Sequence, residues 1–593
     1  TTKRGLGSKG KTNITFKTDI GFSQLPRRLD IMNASEFAQY RNDYAYFGGD
    51  ANHPDVGSDT PLSGSVYPDP LSLGEGTDWI KEITRTAVYS NYALSLSGTN
   101  DKSSYYASFS YNDTQGIIQD SGQQRFTGRI NLERQLFKWL KVGYTGSYTW
   151  RHNDQNKATI GGTAWYSGAQ YLSPMLKPND SYNPLYYNGQ KVNTPRALID
   201  QNTYYLERHS NNHAFSLKLE PVKNFTINST FSYYLYQRHT YRYYPGTLPK
   251  KGENEGGEAY RADWDENSFS WETTAGYKFE KNDHSLDVLG GFSAYRFASH
   301  DFNLSGSGYM DDAIMWNNMN AVLDKETYSA ATGLTKRTKM SLLARFNYNY
   351  KQRYYLTVTG RYDGSSNFAA NNKWGFFPSV ALKWNAAKEN FLKDVRQINV
   401  LKLRGSVGEM GNQAIGNYEY LMAVLASKDY NYSFGDVLSG GAAIKDFVDE
   451  NISWETTRTY NLGLDFEAFD HRLLFSADLY KKRTEGILRD VKIPAQIGNL
   501  NGPKQNIGVV ANDGIELNLQ WRSTVKNFRY SVGGNFCYNK NIVVDLDGQE
   551  YIKTFNIIRE GEPIDAWYLY QADGFYNSYE EIANSVTVGS GVK

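Results

Sequence analysis

The sequence has one cysteine, few prolines and no long apolar run, and each of these absences excludes a class of structure. The single Cys537 cannot form an intrachain disulfide. No segment reaches the roughly 18 to 20 apolar residues that a membrane-spanning helix requires. Only 16 of the 593 residues are proline, whereas glycine reaches 53. The composition therefore favours strands joined by turns over a bundle of helices.

A charge excess and a catalytic motif are also missing. Lys and Arg total 64 against 63 Asp and Glu, giving a net charge of +1, and no basic stripe follows the sequence. A nucleic-acid partner therefore has no electrostatic support. The sequence has no phosphate-binding loop, nucleophile elbow or zinc signature. His209 and His213 form the one close histidine pair and lack a third ligand in sequence. We therefore expect neither an enzyme nor a cofactor or metal site.

Aromatic residues and strict alternation are what the sequence does have. Aromatics make up 15% of the chain, including 47 tyrosines. The segment from Tyr354 to Asp363 places Leu356, Val358 and Tyr362 on one face and polar side chains on the other. Because the polar face carries charge in mid-strand, each face must meet a different environment. A transmembrane β-barrel, with lipid outside and water inside, is the simplest structure with this property.

The same alternation recurs along the chain and predicts an all-β protein of about eighteen antiparallel strands. They are expected at residues 13–22, 91–98, 104–112, 125–132, 141–150, 214–220, 225–237, 268–280, 285–297, 337–350, 354–363, 374–384, 400–407, 457–469, 473–480, 507–521, 528–538 and 564–576. Short connections alternate with long ones, and the long ones span 151–211, 238–266, 300–335 and 413–452. This asymmetry is typical of outer-membrane barrels. A short helix is also predicted from Ala34 to Asn42, capped by Asn33.

Several stretches occur in the order and spacing of a known family. They are Arg361-Tyr-Asp-Gly-Ser-Ser-Asn-Phe368, Trp374-Gly-Phe-Phe-Pro-Ser379, Leu403-Arg-Gly-Ser-Val-Gly-Glu-Met-Gly-Asn412, Trp454-Glu-Thr-Thr and Asn506-Ile-Gly-Val-Val-Ala-Asn-Asp-Gly-Ile-Glu516. In this combination the chain resembles the SusC/RagA-like TonB-dependent transporters of Bacteroidota. We interpret the individual motifs as turn and strand-end chemistry, since Asp363-Gly-Ser-Ser and Asn512-Asp-Gly suit tight backbone angles.

The resemblance implies a barrel of 22 strands, an N-terminal plug and a location in the outer membrane of a Gram-negative bacterium. It implies TonB-dependent import of oligosaccharides or peptides, with a SusD-like lipoprotein and the TonB–ExbB–ExbD complex as partners. Residues 1–12 are then the end of the plug and a linker, and residues 13–593 are transmembrane barrel. The TonB box and most of the plug are expected upstream of Thr1, and about four more strands beyond Lys593, because open strand edges are costly in lipid.

Substrate contacts, if the chain makes any, are expected in the long outer connections, where aromatic rings stand among amides and carboxylates. Such rings can stack on sugars or bury a partner protein. The candidate contacts are Trp165, Tyr166, Tyr171, Tyr186, Tyr187, Tyr243, Trp264 and Trp316. Two alternatives remain open at this stage. One is a passive porin or surface adhesin, and the other is a soluble β-rich glycan-binding or hydrolytic protein that buries its apolar strand faces.

Overall fold

The computed structural model describes residues 10–46, 67–157, 169, 172–178, 193–248, 257–309, 311–323, 325–392, 394–426, 430–444, 446–494, 496, 502–572 and 574. The chain divides into two compact units. Unit 1 comprises Thr1–Lys278 with Leu289–Leu342, and unit 2 comprises Phe279–Val288 with Leu343–Lys593. Among the described residues, no helix has both the length and the apolar character needed to cross a membrane.

Unit 1 is built on a meander of long antiparallel strands. The first eight strands are β1 (Thr12–Ser23), β2 (Ala87–Thr99), β3 (Ser103–Gln115), β4 (Gly122–Phe137), β5 (Leu140–Asp154), β6 (Thr203–Val222), β7 (Phe225–Tyr244) and β8 (Gly257–Lys281). Each pairs with the next in antiparallel register. The last residues of β8, from Phe279, belong to unit 2, and two further strands, β9 (His284–Tyr309) and β10 (Ser329–Tyr350), also have residues in both units.

The helices of unit 1 are short and lie in the connections. They are α1 (Ala34–Tyr46), α2 (Trp79–Ile83) and α3 (Pro195–Gln201), with 3₁₀ turns at Pro70–Leu73, Met315–Asn317, Met319–Ala321 and Lys325–Thr327. The predicted cap of α1 is confirmed, since Asn33 Oδ1 accepts from Glu36 N at 2.9 Å and Asn33 N donates to Glu36 Oε2 at 2.9 Å. This reciprocal pair is a capping box, which fixes where the helix begins.

Unit 2 repeats the meander with shorter strands. They are β11 (Tyr354–Ser365), β12 (Trp374–Asn385), β13 (Ile398–Asn412), β18 (Glu455–Ala468), β19 (Leu473–Glu485), β22 (Val509–Val525) and β23 (Phe528–Asp545), paired in that order. A 3₁₀ turn at Ala386–Lys388 follows β12. Small sheets form in the connections from β14 (Val424–Ala426), β15 (Tyr432–Phe434), β16 (Val437–Ser439), β17 (Ala442–Ile444), β20 (Leu488–Asp490), β21 (Lys504–Asn506), β24 (Tyr551–Ile552), β25 (Asn556–Ile558) and β26 (Ala566–Trp567).

Every expected strand up to 528–538 has a counterpart, but several continue well beyond the predicted ends. The strand expected at 214–220 begins at Thr203, and the one expected at 285–297 ends at Tyr309. On these extensions the positions of the apolar face hold charged pairs: His239 Nδ1 lies 2.7 Å from Asp263 Oδ1, and His152 Nδ1 lies 3.5 Å from Glu207 Oε1. Alternation is therefore lost while strand pairing continues, and parts of the expected long loops are strand.

The strand expected at 564–576 is wrong as far as the described residues extend. Only Ala566–Trp567 is extended and paired, and its partner is β25. Gly561 and Asp565 have φ values of 85° and 56°, which interrupt an extended chain just before it. Among the described pairings this segment does not close onto β1, which pairs with β2. The expectation of further strands stays a prediction.

The apolar face of each unit is exposed. In unit 1, Phe16 lies opposite Leu94, which lies opposite Phe109, and Phe215 lies opposite Phe231. Phe16 is 64% exposed and Phe215 is 53% exposed. Rows of large apolar side chains without cover would be unfavourable in water. The face therefore suits hydrocarbon.

In unit 2 four apolar strand residues are not buried. Their exposure distinguishes a face that contacts lipid from a face packed into a dry protein core. Val358 is 40% exposed and Leu462 is 59% exposed, while Leu356 and Leu517 are partly exposed. The buried apolar clusters lie instead at connections and strand ends. One of them groups Trp79, Ile80, Ile83 and Ile199 around α2. This arrangement is contrary to the alternative of a soluble protein that packs its apolar strand faces together.

The exposed apolar face predicts the effect of a charge placed on it. Leu462→Arg would put a guanidinium into hydrocarbon and should destabilise the protein folded in lipid vesicles by about 2 to 4 kcal/mol. Asn461→Arg, one position along β18 on the polar face, is the matched control and should change the free energy of unfolding by less than about 0.5 kcal/mol. Urea unfolding in vesicles measures both. Equal effects of the two substitutions would contradict the assignment of the faces.

Glu389 joins the ends of two strands of unit 2 at the connection after β12. The side chain is 8% exposed and accepts from Tyr354 Oη at 2.6 Å, Trp384 Nε1 at 3.1 Å and Arg353 Nη1 at 3.1 Å. The hydrogen bonds from Tyr354 and Trp384, together with the charge of Arg353, hold the pKa of this carboxyl below its ordinary value. The ionised carboxylate therefore stabilises the folded state.

The lowered pKa of Glu389 gives a pH dependence with a defined sign. Because the folded state binds this proton less readily than the unfolded state, the stabilisation is complete above the ordinary glutamate pKa and disappears as pH falls through the folded value. Glu389→Gln should lower the Tm at pH 7, and the difference from the wild type should shrink below about pH 4. Thermal scans from pH 3 to pH 7 measure it, and a difference independent of pH would be contrary to this account.

Candidate functional site

The polar face of unit 1 carries a row of arginines that the strand register brings together. Arg125 lies opposite Arg151, Arg151 opposite Arg208, and Arg208 opposite Arg238, on strands β4, β5, β6 and β7. Arg238 in turn lies opposite Trp264 on β8. We call Arg125, Arg151, Arg208 and Arg238 the arginine row. It crosses four neighbouring strands at one level.

The arginine row lies towards the end of the strands from which the long connections leave. Arg151 is three residues from the end of β5 at Asp154, and Arg208 is five residues from the start of β6 at Thr203. Residues 155–202 connect these two strands, so the row lies close to one of the long connections of unit 1.

The guanidinium groups of the arginine row have almost no partners. Arg208 Nη1 is 3.4 Å from Asn153 Oδ1, and the guanidinium carbon of Arg238 is 5.7 Å from the centre of the Trp264 ring. The Nε atoms of Arg151 and Arg208 are shielded from solvent and make no hydrogen bond within the described part of the chain. No carboxylate among the described residues lies within ion-pairing distance of any of the four side chains. With respect to the described residues, the row is therefore a positive strip without neutralising carboxylates.

Unit 2 shows the contrasting case of a paired arginine on a polar strand face. Arg404 donates from Nε and Nη2 to Asp465 at 3.0 and 3.1 Å, and from Nη1 and Nη2 to Asp478 at 3.1 and 3.0 Å. It lies across Gly463, where a Cβ atom would be 2.6 Å from the guanidinium carbon. Two bidentate contacts of this kind hold the side chain and neutralise its charge. In unit 2, unlike in the arginine row, an arginine on the polar strand face is thus neutralised by carboxylates of neighbouring strands.

Three of the aromatic residues predicted to contact substrate lie within the described residues; the structure brings Tyr243 and Trp316 into one packed cluster and places Trp264 apart from them. Trp264 is on the polar face, beside Arg238. Tyr243 is only 1% exposed, packs with Ala259 and Tyr309, and donates its hydroxyl to Asp312 Oδ1 at 2.8 Å.

Trp316 packs against the same apolar cluster as Tyr243. Its ring lies against Tyr205 at 5.8 Å and Tyr241 at 5.4 Å, between ring centres. These contacts give Tyr243 and Trp316 a packing role, so only Trp264 of the three faces the polar side. The other candidates, Trp165, Tyr166, Tyr171, Tyr186 and Tyr187, lie outside the described residues.

The motifs that carry the family resemblance pack against one another in unit 2. Phe368 is fully buried and its ring centre is 5.1 Å from that of Trp454, which lies 5.4 Å from Phe377. Asn506 accepts from Ser453 N at 2.7 Å and donates to Gly486 O at 2.9 Å. Asp363-Gly-Ser ends β11 as expected, but Asn512-Asp-Gly lies inside β22, and neither Gly364 nor Gly514 has a positive φ, so the expectation of tight backbone angles is wrong.

The two histidines that are close in sequence are each bonded to a tyrosine. Tyr144 Oη lies 2.8 Å from His213 Nδ1, and Tyr148 Oη lies 3.0 Å from His209 Nδ1. In the described part of the chain, no three His, Cys, Asp or Glu side chains are grouped so as to hold a metal ion. Cys537 is exposed and lies opposite Glu516 on the polar face of unit 2.

The arginine row is not apparent in the sequence, because its members are far apart along the chain. Aligning β4 and β5 from their short turn would leave Arg125 one residue out of line with Arg151, since the register shifts between Gln135 and Phe137. The turn alone therefore does not locate the row.

Comparison with known proteins identifies the family. Residues 143–566 match the family described as TonB dependent receptor-like, beta-barrel. TonB-dependent receptor P3 of Formosa agariphila is 31% identical over 601 residues, covering 97% of this chain and 56% of the relative. TonB-dependent receptor SusC of Bacteroides thetaiotaomicron is 28% identical over 575 residues, covering 92% of this chain and 54% of the relative.

The fold is also that of a solved transporter. The RagAB peptide transporter superposes with a TM-score of 0.82 at 24% identity, covering 95% of this chain and 65% of that one. The chain spans little more than half the length of the curated relatives it matches. With most of the chain matching that family and its fold, the protein belongs to the TonB-dependent receptors, whose β-barrels lie in the outer membrane of Gram-negative bacteria.

Proposed function

We propose that the chain is part of an outer-membrane importer that moves large nutrients through a polar lumen with energy supplied by the TonB–ExbB–ExbD complex. The observation that carries this proposal is the two-sided sheet, in which exposed apolar side chains such as Phe16 alternate with a charged opposite face. In this proposal the apolar face meets lipid and the polar face lines the transport path. Similarity to SusC and to the RagAB peptide transporter supports active import.

A SusD-like surface lipoprotein is the partner we propose for the long connections of unit 2. The hairpin of β15 and β16 exposes Phe434 by 72%, Val437 by 66% and Leu438 by 69%. A contiguous apolar surface of this kind, outside the apolar band of the strands, is typical of a protein interface. The hairpin lies in the connection between β13 and β18, outside the main strand meander of unit 2. We therefore propose that a partner protein covers its apolar side chains.

Channel conductance and TonB binding distinguish active import from the alternative, a passive porin. The full-length protein in a planar lipid bilayer should give no steady open-channel conductance, because a plug is expected to fill the lumen. It should also bind the periplasmic C-terminal domain of TonB, and removal of its N-terminal TonB box should abolish that binding. A large constant conductance in the absence of TonB would instead establish a passive channel.

Partner association can be tested on the exposed hairpin. Phe434→Ser together with Leu438→Ser should reduce the amount of lipoprotein that co-purifies with the full-length transporter by about tenfold, because interface energy concentrates in a few apolar anchors. The control is Phe16→Ser with Ile20→Ser on the apolar face of β1, which should leave co-purification unchanged. If the hairpin variant retains its full complement of lipoprotein, the proposed contact is wrong.

A further inference from the structure

The arginine row is an arrangement that strand pairing alone disfavours. Side chains directly opposite each other on antiparallel strands have Cβ atoms about 4.5 to 5.5 Å apart, and like charges at that distance are destabilising. Three consecutive cross-strand pairs in the row are Arg–Arg pairs. Since Arg404 shows how this chain neutralises an arginine, the missing carboxylates point to a ligand that supplies negative charge.

The geometry of the row defines the kind of anion it would take. A guanidinium offers a planar fork of donors that matches a carboxylate or a sulfate in a bidentate contact. The Nε atoms of Arg151 and Arg208 are shielded from solvent, so a ligand would meet the Nη ends of these two guanidinium groups. Neighbouring strands are about 4.8 Å apart, so the row presents positive charge at regular intervals of that length. A ligand with several anionic groups along one chain can use more than one fork.

Both levels next to the row are rich in hydrogen-bonding groups, and Glu266 on β8 is the one charged side chain that they hold. The level nearer the long connections holds Gln123, Asn153, Leu206, Thr240 and Ala262, and the level on the other side holds Thr127, Thr149, Ser210, Tyr236 and Glu266. Amide and hydroxyl side chains suit a ligand covered in hydroxyls. Leu206 is the only large aliphatic side chain among them and is itself only 7% exposed, so the apolar side chains of a peptide would find little to pack against.

Trp264 on β8 lies opposite Arg238, at the level of the arginine row. Its aromatic ring is a second feature that favours a sugar ligand over a peptide. The Arg238 guanidinium lies over one face of the indole, 5.7 Å from the ring centre, so only the opposite face could receive a ligand next to this positive charge. An aromatic face can pack on the apolar face of a sugar ring while neighbouring groups bond its hydroxyls and acidic substituent.

We propose that the arginine row with Trp264 is a binding site for acidic oligosaccharides, which carry carboxylate or sulfate groups along the chain. This proposal rests on the proposed function, in which the polar face lines the transport path. It narrows the nutrient to an anionic glycan and places the first selective contacts on paired strands near the long connections.

The test measures equilibrium binding to the full-length transporter in detergent by calorimetry, independently of transport. The probes are hexagalacturonate, its fully methyl-esterified form, and a chondroitin sulfate hexasaccharide. The ester should bind at least about tenfold more weakly than hexagalacturonate, because it has the same sugar without the charge. Arg151→Gln with Arg208→Gln should weaken binding of the preferred anionic probe by at least about tenfold, and added salt should weaken wild-type binding.

The matched control is Arg129→Gln, on the polar face of β4 but outside the row, which should stay within about twofold of the wild type. The row variant should keep or raise the Tm, because it removes opposed like charges. Equal binding of acid and ester, or no binding of either anionic probe, would overturn the proposal. So would a fall of several degrees in Tm of the row variant, which would show that another segment pairs with the row.

Hexaglutamate separates a glycan from an acidic peptide. If it binds as tightly as the acidic sugars and with the same dependence on Arg151 and Arg208, the oligosaccharide assignment is wrong and the site recognises acidic peptides. Conductance and TonB binding do not depend on these variants, so failure of the glycan proposal leaves the proposed importer intact.

Discussion

The structure depends on a sheet whose strands have no second layer to pack against. Each strand satisfies its backbone hydrogen bonds through its neighbours, and its two faces meet two different surroundings. The side chains therefore sort by parity along each strand, with rings such as Phe215 on one side and groups such as Arg208 on the other. Core packing is left to small clusters at the connections, of which the one around Trp79 is an example.

Turn chemistry keeps this parity in step from strand to strand. Tight turns need residues that tolerate a left-handed backbone, and Asn224, Asn282 and Lys526 adopt φ values of 66°, 51° and 54° at three of them. A slip by one residue would exchange the two faces of a whole strand. The short turns, together with register shifts beside them on β4 and β6, thus decide which side chains become neighbours across strands, including those of the arginine row.

The sequence predicted the elements that depend only on residues close to one another along the chain. Alternation located the strands of both units, and Asn33 with Glu36 located the start of α1. Three features depended on more than local pattern. The ends of β6 to β9 were missed because charged side chains such as His239 and Asp263 interrupt the apolar face there. The segment from Ile564 was predicted as a strand from its aromatics, although Gly561 and Asp565 break the extended backbone. The arginine row required register between strands, which no single segment carries.

The long extensions of β6 to β9 past the apolar band place Arg208 and Arg238 on a hydrogen-bonded ladder and not on a mobile loop. The ladder fixes the spacing of the Cα atoms that carry the charges, and each arginine side chain can adjust its guanidinium only around that spacing. The backbone therefore has little conformational freedom left to lose when a ligand is bound. Selection would then act on linear charge density, so that two polymers of equal total charge are distinguished by how closely that charge is spaced.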